Sequence, residues 1–226
     1  MRTLTLLFAF LLSFPLTLSA QSAEEVLQKV SAAMAAEQWE QAVGLFRQAI
    51  RLNADKSEMF YWTSVDKSGS VCTKMAQELA SHYKNIRNYD KAYLFCKEVL
   101  QRTPNDVTWL ATCAEMEVYR GKEKDALQTY QKVLSLDANH LAANIFVGNY
   151  YYLMAEREKQ QLMRDYKKIS SPTRMQYARY KDGLNKLMTD GYGKAKGYLQ
   201  NVLRQFPSAE VMKTLEKIKK MEAELE

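Results

Sequence analysis

The chain has 226 residues, 47% hydrophobic and 26% charged, and its 32 basic and 26 acidic side chains leave a net charge of +6. Eight glycines and four prolines are too few turn formers for an all-β fold, which needs a turn signal about every 8–12 residues. The basic residues stand interleaved with acidic ones, as in Glu123-Lys124-Asp125 and Glu156-Arg157-Glu158-Lys159, which predicts a solvated mixed-charge surface and no nucleic-acid partner.

In chain order, the first element is an address. Met1-Arg2-Thr3 makes a short positive end, Leu4 to Phe14 an apolar run, Pro15 a break, and Leu18-Ser19-Ala20 a small-residue site before Gln21. This is the layout of a secretory signal peptide over residues 1–20, cleaved after Ala20. The run is shorter than the roughly 20 residues a membrane span needs, so no stable membrane anchor is expected. No cysteine follows it to carry a lipid. Export would permit disulfides. The three cysteines, Cys72, Cys96 and Cys113, are odd in number, so at least one thiol stays free or pairs outside the chain. Cys96 and Cys113 fall where a helix buries small side chains, which favours free thiols over a bridge.

From residue 21 onward the apolar residues recur at helical spacing. The pattern Trp39, Ala42, Phe46, Ala49 returns as Tyr89, Ala92, Cys96, Val99. It returns again as Ala126, Tyr130, Val133 and as Tyr192, Ala195, Leu199, Val202. A helix stop follows each: Asn53-Ala54-Asp55, Pro104-Asn105-Asp106, Asp137-Ala138-Asn139 and Pro207-Ser208. Between Ala92 and Ala126 the step is 34 residues, and Cys96 to Tyr130 and Val99 to Val133 keep the same phase. Ala42 to Ala92 is 50, so an insert of about residues 55–72, including Met59-Phe60-Tyr61-Trp62, is expected as a decorated loop or a short extra helix. Ala126 to Ala195 is 69. One long helix from His140 to about Ile169, a break at Ser170-Ser171-Pro172 and a return helix from Thr173 to about Thr189 account for the surplus as an elongated hairpin. A degenerate extra repeat is the alternative. Asp190-Gly191-Tyr192-Gly193 should bend or interrupt the return. From about Ser208 to the end, Val211, Met212, Leu215, Ile218 and Met221 form one stripe of a capping helix.

A 34-residue helical period resembles the tetratricopeptide (TPR) repeat. Pro104 stands at that family's closing proline, Ala92 and Ala126 at its small crossing position, and Gly148 with Tyr151 at the small and aromatic positions of a first helix. The resemblance implies an all-α fold: a right-handed α-solenoid of TPR hairpins with an elongated last hairpin and a C-terminal capping helix. Its repeats would be about 23–56, 73–106, 107–140 and an interrupted 141–209, with the cap at about 208–226. Together with the leader it implies an exported bacterial type, placed in the periplasm of a Gram-negative bacterium.

Chemistry-bearing motifs are absent. His82 and His140 lie in different repeats, and no metal-protease, nucleophile-elbow or phosphate-loop pattern occurs. The expectation is therefore a non-enzyme without cofactor or metal that binds a protein or peptide. The resemblance places partner-binding residues on the first helix of each hairpin. These are Lys74, Gln77, Ser81 and Lys84; then Thr108, Ala111, Glu115 and Tyr119; then Ile145, Asn149 and Tyr152. Gln77, Ser81 and Ile145 replace the polar types of the carboxylate-clamp subclass, so that specificity is not expected. Two other functions stand beside the scaffold: a small-molecule, glycan or enzymatic accessory site in the inserts, near Tyr61-Trp62 or the long hairpin, and a self-assembling protein that pairs through the long hairpin as a homo-oligomer.

Overall fold

The computed structural model describes residues 22–225, so the leader at residues 1–20 and its cleavage site lie outside the described residues. Within them the chain forms helices and no strand. The chain divides into two compact units, one ending at Leu79 and the other starting at Ala80.

In the first unit, α1 (Ala23–Ala35) and α2 (Trp39–Leu52) form a hairpin. Ser22 caps α1 by accepting from the Glu25 N–H at 3.2 Å, and Glu24 and Glu25 sit in its first turn, where carboxylates suit the helix dipole. Val26, Val30 and Ala33 of α1 and Ala42, Phe46 and Ala49 of α2 are buried, the one-face spacing of an amphipathic pair. The insert is a helix followed by a turn. Asn53 ends α2 and caps α3 (Ala54–Ser64) by accepting from the Lys56 N–H at 2.9 Å. Tyr61 is buried, and the Lys67 ammonium stands 3.2 Å from its ring centroid. Asp66 accepts from the Ser68 N–H at 2.8 Å and so shapes the turn into α4 (Ser70–Asn85), whose residues up to Leu79 belong to this unit. Arg47 clamps Glu78 with two hydrogen bonds of 2.7 and 2.6 Å.

The second unit holds α5 (Tyr89–Arg102), α6 (Val107–Tyr119), α7 (Glu123–Leu136), α8 (Leu141–Lys167), α9 (Arg174–Leu187), α10 (Lys194–Gln205) and α11 (Ala209–Leu225). The helices α5 and α7 begin 34 residues apart, as do α6 and α8. Ala92 and Ala126 are fully buried. The turn after α4 and that after α6 are built alike: Arg87 (φ 60°) and Gly121 (φ 72°) take left-handed backbone. Beyond them the N–H of Asn88 reaches the Tyr83 carbonyl and that of Lys122 the Glu117 carbonyl, at 2.9 and 2.8 Å. This bonding satisfies carbonyls that the helix end leaves open.

The long helix ends two residues short of the expected Ile169, and His140 caps it by accepting the Ala143 N–H on Nδ1 at 3.3 Å. Thr173 and Gln176 form a capping box at the start of α9. The expected irregularity at Asp190-Gly191-Tyr192-Gly193 is a π-helical turn over Met188–Gly193 that joins α9 to α10 without a break. Two glycines let the hairpin close. A Cβ on Gly148 would stand 2.9 Å from the Leu199 side chain, and one on Gly191 only 2.6 Å from Ala155 Cβ. Tyr192 is buried between the limbs, and its hydroxyl donates to Glu156 Oε1 at 2.6 Å beside Lys159 at 2.9 Å. Burial pushes the Glu156 carboxyl up, but the hydrogen bonds from Tyr192 and Lys159 outweigh it and hold the group below the usual range. On α11, Val211 and Ile218 are buried and Leu215 packs beside them. Met212, expected on the same stripe, is exposed, because one residue on from Val211 is about 100° further round the helix.

Candidate functional site

A largely apolar concavity runs along α8. Ala142, Ile145, Phe146, Asn149, Tyr150, Leu153, Met154, Arg157 and Glu158 line it, with Glu123 and Lys124 from the start of α7, around a space of about 650 Å³. The α8 residues step by three and four, so one helical face makes the whole floor. The opposite face carries buried Ala143, Asn144, Val147, Gly148 and Ala155. Ring contacts stiffen the floor: Tyr130 meets Phe146 at 4.8 Å between centroids, and Phe146 meets Tyr150 at 6.1 Å. Ile145 and Leu153 remain 37% and 52% exposed, an exposure that leaves apolar surface for a ligand to cover.

A second space of about 390 Å³ adjoins it, sharing Met154 and Glu158 and adding Leu162, Gly183, Lys186 and Asp190 among its walls. Across both spaces Lys124, Arg157 and Lys186 stand with Glu123, Glu158 and Asp190. The rim is thus balanced in charge, and the floor supplies the attraction by apolar burial.

The residues expected to meet a partner are spread over several surroundings. Ile145 and Asn149 line the α8 groove. Lys74 pairs with Glu40 in the first unit, where Gln77 is half-buried. Ser81 is exposed, and Lys84 pairs with Glu115. Tyr119 is 55% exposed and stacks on Tyr89, with centroids 4.4 Å apart, above an open space of about 560 Å³ at the turns. Thr108 is exposed and Ala111 half-buried. Tyr152 turns inward, edge-on to Tyr192 at 5.9 Å. Sequence reasoning passed over Phe146, Leu153, Met154 and Arg157. Their signal is the unbroken three-and-four stripe, which continues along α8 past the length of an ordinary repeat helix.

One other group is unexpected. Glu117 on α6 is only 4% exposed, and its Oε2 has no hydrogen-bond partner among the described residues. Burial pushes its carboxyl up, with Asp125 adding repulsion, while Thr129, Lys97 and Tyr93 pull the other way. The cysteines are all free and buried, and burial pushes the Cys96 and Cys113 thiols up to about 12, where they are poor nucleophiles. His82 is half-buried, with its ring against Tyr83. Among the described residues no cluster of His, Cys, Asp or Glu is arranged to hold a metal ion, and no helix is long and apolar enough to cross a membrane.

Over 91% of its length the chain is similar to the crystal structure of a proposed protein-binding protein from Bacteroides ovatus ATCC 8483, with 61% identity, a TM-score of 0.81 and all of that chain covered. It also matches YrrB, a TPR protein with an unusual peptide-binding site, at 14% identity over 88% of this chain and 92% of that one, with a TM-score of 0.38. A thermophilic TPR protein of Thermus thermophilus matches at 15% identity over 89% of this chain and 100% of that one, with a TM-score of 0.34. Likenesses this loose carry no argument about function. No protein-family model matches the chain, and no curated protein does.

Proposed function

The chain belongs to the tetratricopeptide-repeat family, in one family with the Bacteroides ovatus protein, and from that premise we propose that it is an exported scaffold that holds another protein in the groove along α8. The observation that carries this reading is the face of α8 from Ala142 to Glu158: apolar, ring-stiffened, partly exposed and open over about 650 Å³. That volume is in the range of spaces that take a short run of side chains. Its linear shape and 3–4 spacing suit an amphipathic helical segment laid along it. The balanced rim favours a segment of little net charge, anchored by aliphatic or aromatic residues at Ile145, Leu153 and Met154.

Export and a place in the bacterial envelope rest on the residues from Met1 to Gln21. The relative from Bacteroides ovatus lends its binding role to the reading, and the identity of 61% supports the same class of activity here.

The test is photo-crosslinking in the native host. A crosslinking amino acid at Asn149 should trap one protein, the same residue at exposed Ser135 on α7 should not, and Leu153→Asp should abolish the trapped band. Trapping from Ser135 and not from Asn149 would overturn the groove. Fractionation of the same cells checks export: a full-length protein confined to the cytoplasmic fraction would overturn it.

A further inference from the structure

The outer part of the long hairpin has a composition unlike the rest of the chain. Between Leu162 and Asp182 stand six basic side chains, Arg164, Lys167, Lys168, Arg174, Arg179 and Lys181, against Asp165 and Asp182. That segment holds a net +4 of the +6 carried by the whole chain. The interleaving that predicts a mixed-charge surface elsewhere fails here. All of the six but Lys181 are exposed.

The same segment is nearly coreless. Ala155 is the last buried residue of α8 and Leu187 the first of the return limb, with none buried between them. The twelve residues of α8 beyond Ala155 extend about 18 Å at helical rise. What holds the limbs together there is narrow: the Tyr166 and Tyr180 rings stack at 4.4 Å, and Leu162 lies against Gly183. Met175 and Tyr177 stand out at 66% and 50% exposure. A small domain core does not need this extension, and water does not favour the exposed methionine and tyrosine.

We propose that this tip docks the protein reversibly on an anionic phospholipid surface. Two helix ends and a loop make a convex end, and a peptide needs walls on both sides, whereas a lipid headgroup layer is broad and yields to a convex probe. Cations near such a surface are drawn by its negative potential. Tyrosine and methionine beside them fit the interfacial layer, where a ring or thioether is half wet and half apolar. Each basic residue close to an anionic surface strengthens binding about five-fold. The attraction acts within a Debye length, about 8 Å at physiological salt, so Lys167, Lys168 and Arg174 around the loop should dominate. The pairing of Lys168 with Asp165 at 3.0 Å is exposed and is exchanged for headgroup phosphate at little cost.

Cosedimentation of the full chain with vesicles tests this. The protein should bind phosphatidylcholine vesicles that contain phosphatidylglycerol, and release at high salt. It should ignore vesicles of phosphatidylcholine alone. The triple variant Lys167→Gln, Lys168→Gln, Arg174→Gln alters exposed positions only, so its helical circular dichroism should match the parent. Its binding should fall roughly 100-fold. Met175→Ser with Tyr177→Ser should weaken binding several-fold even at low salt. Equal binding by the triple variant would overturn the proposal. So would a parent protein that ignores the anionic vesicles, or that takes up duplex DNA or an acidic protein in their place.

Discussion

The repeats spanning α5 to α7 and the elongated hairpin of α8 to α10 solve the same packing problem by different means. In the first region each helix buries a full stripe: Ala92, Phe95, Cys96 and Val99 on α5, Leu110, Cys113, Ala114 and Met116 on α6, Ala126, Tyr130 and Val133 on α7. Small alanines at the crossings let the helices approach, and larger residues on either side fill the space. In the second region the limbs approach through Gly148 and Gly191, and a π-helical turn absorbs the extra length. Burial then stops at Ala155 and Leu187, while the helices continue. Stability in the first region comes from buried area; in the outer hairpin it comes from helix propensity and a few ring contacts, so that surface is free to vary for binding.

The contrast is broken most directly by removing a ring from each region. Phe95 is fully buried and its ring lies 5.9 Å from that of Tyr83. Phe95→Ala should cost about 3–5 kcal/mol in urea unfolding. Tyr166→Ala removes one partner of a half-buried stack and should cost about 1 kcal/mol. Comparable losses at the two positions would show that the outer hairpin is part of the folding core.

Glycines of the return limb sharpen it next. Gly191→Ala forces a contact of 2.6 Å with Ala155, an overpacking that should cost about 1–3 kcal/mol. Gly197, on α10, has nothing within 4 Å of the position a Cβ would take. Gly197→Ala should therefore stabilise, by up to about 1 kcal/mol, through helix propensity alone. Thermal unfolding of the two variants should shift in opposite directions. If both fall, the close approach at Gly191 is not what distinguishes the limb.

The region with the fuller core also contains a costly group. Because the Glu117 carboxyl is raised in the folded chain, its folded state binds a proton that the unfolded state releases. Its stabilising contribution is then complete below the unfolded value of about 4.3 and is lost as pH climbs through the folded value. Glu117→Gln keeps the shape and removes the ionisation. The variant should match the parent in acid and exceed it by about 1 kcal/mol at neutral pH. A difference that does not grow with pH would mean that the carboxylate is well satisfied.

How far these features could be read in advance follows from what carries them. The hairpins were legible because the 34-residue step from Ala92 to Ala126 is a local pattern repeated in phase. The long hairpin was legible because Pro172 and the glycine pair around Tyr192 punctuate it. Whether the insert at 55–72 was loop or helix was not, since Ala54–Ser64 has almost no one-sided apolar pattern and Tyr61 is its one large buried side chain. The α8 groove was half legible. Ile145 and Asn149 follow from their place on a first helix, but Tyr152 faces Tyr192, and which face of a long helix meets its return limb depends on residues about forty positions away. Glu117 was invisible, because its burial comes from neighbours on α5 and α7 and not from its own helix.

The smallest expected effect lies in the turns, where regular repeats differ among themselves. Arg87 and Gly121 occupy the same turn position with φ of 60° and 72°, and Glu37 does so in the first unit with φ of 56°. A side chain there crowds the following carbonyl and costs about 1 kcal/mol, which glycine avoids at the expense of unfolded-state entropy. Arg87→Gly should therefore stabilise by no more than about 0.5 kcal/mol, the residue of those two opposed terms. Gly121→Ala meets no neighbour within 4 Å, so its cost is the same two opposed terms reversed, about 0.5 kcal/mol, with no contact added. The pair, measured by chemical unfolding, separates the turn's geometry from its contacts. A loss at Arg87→Gly would mean that contacts of the arginine side chain, and not the left-handed backbone, decide the stability of the turn between α4 and α5.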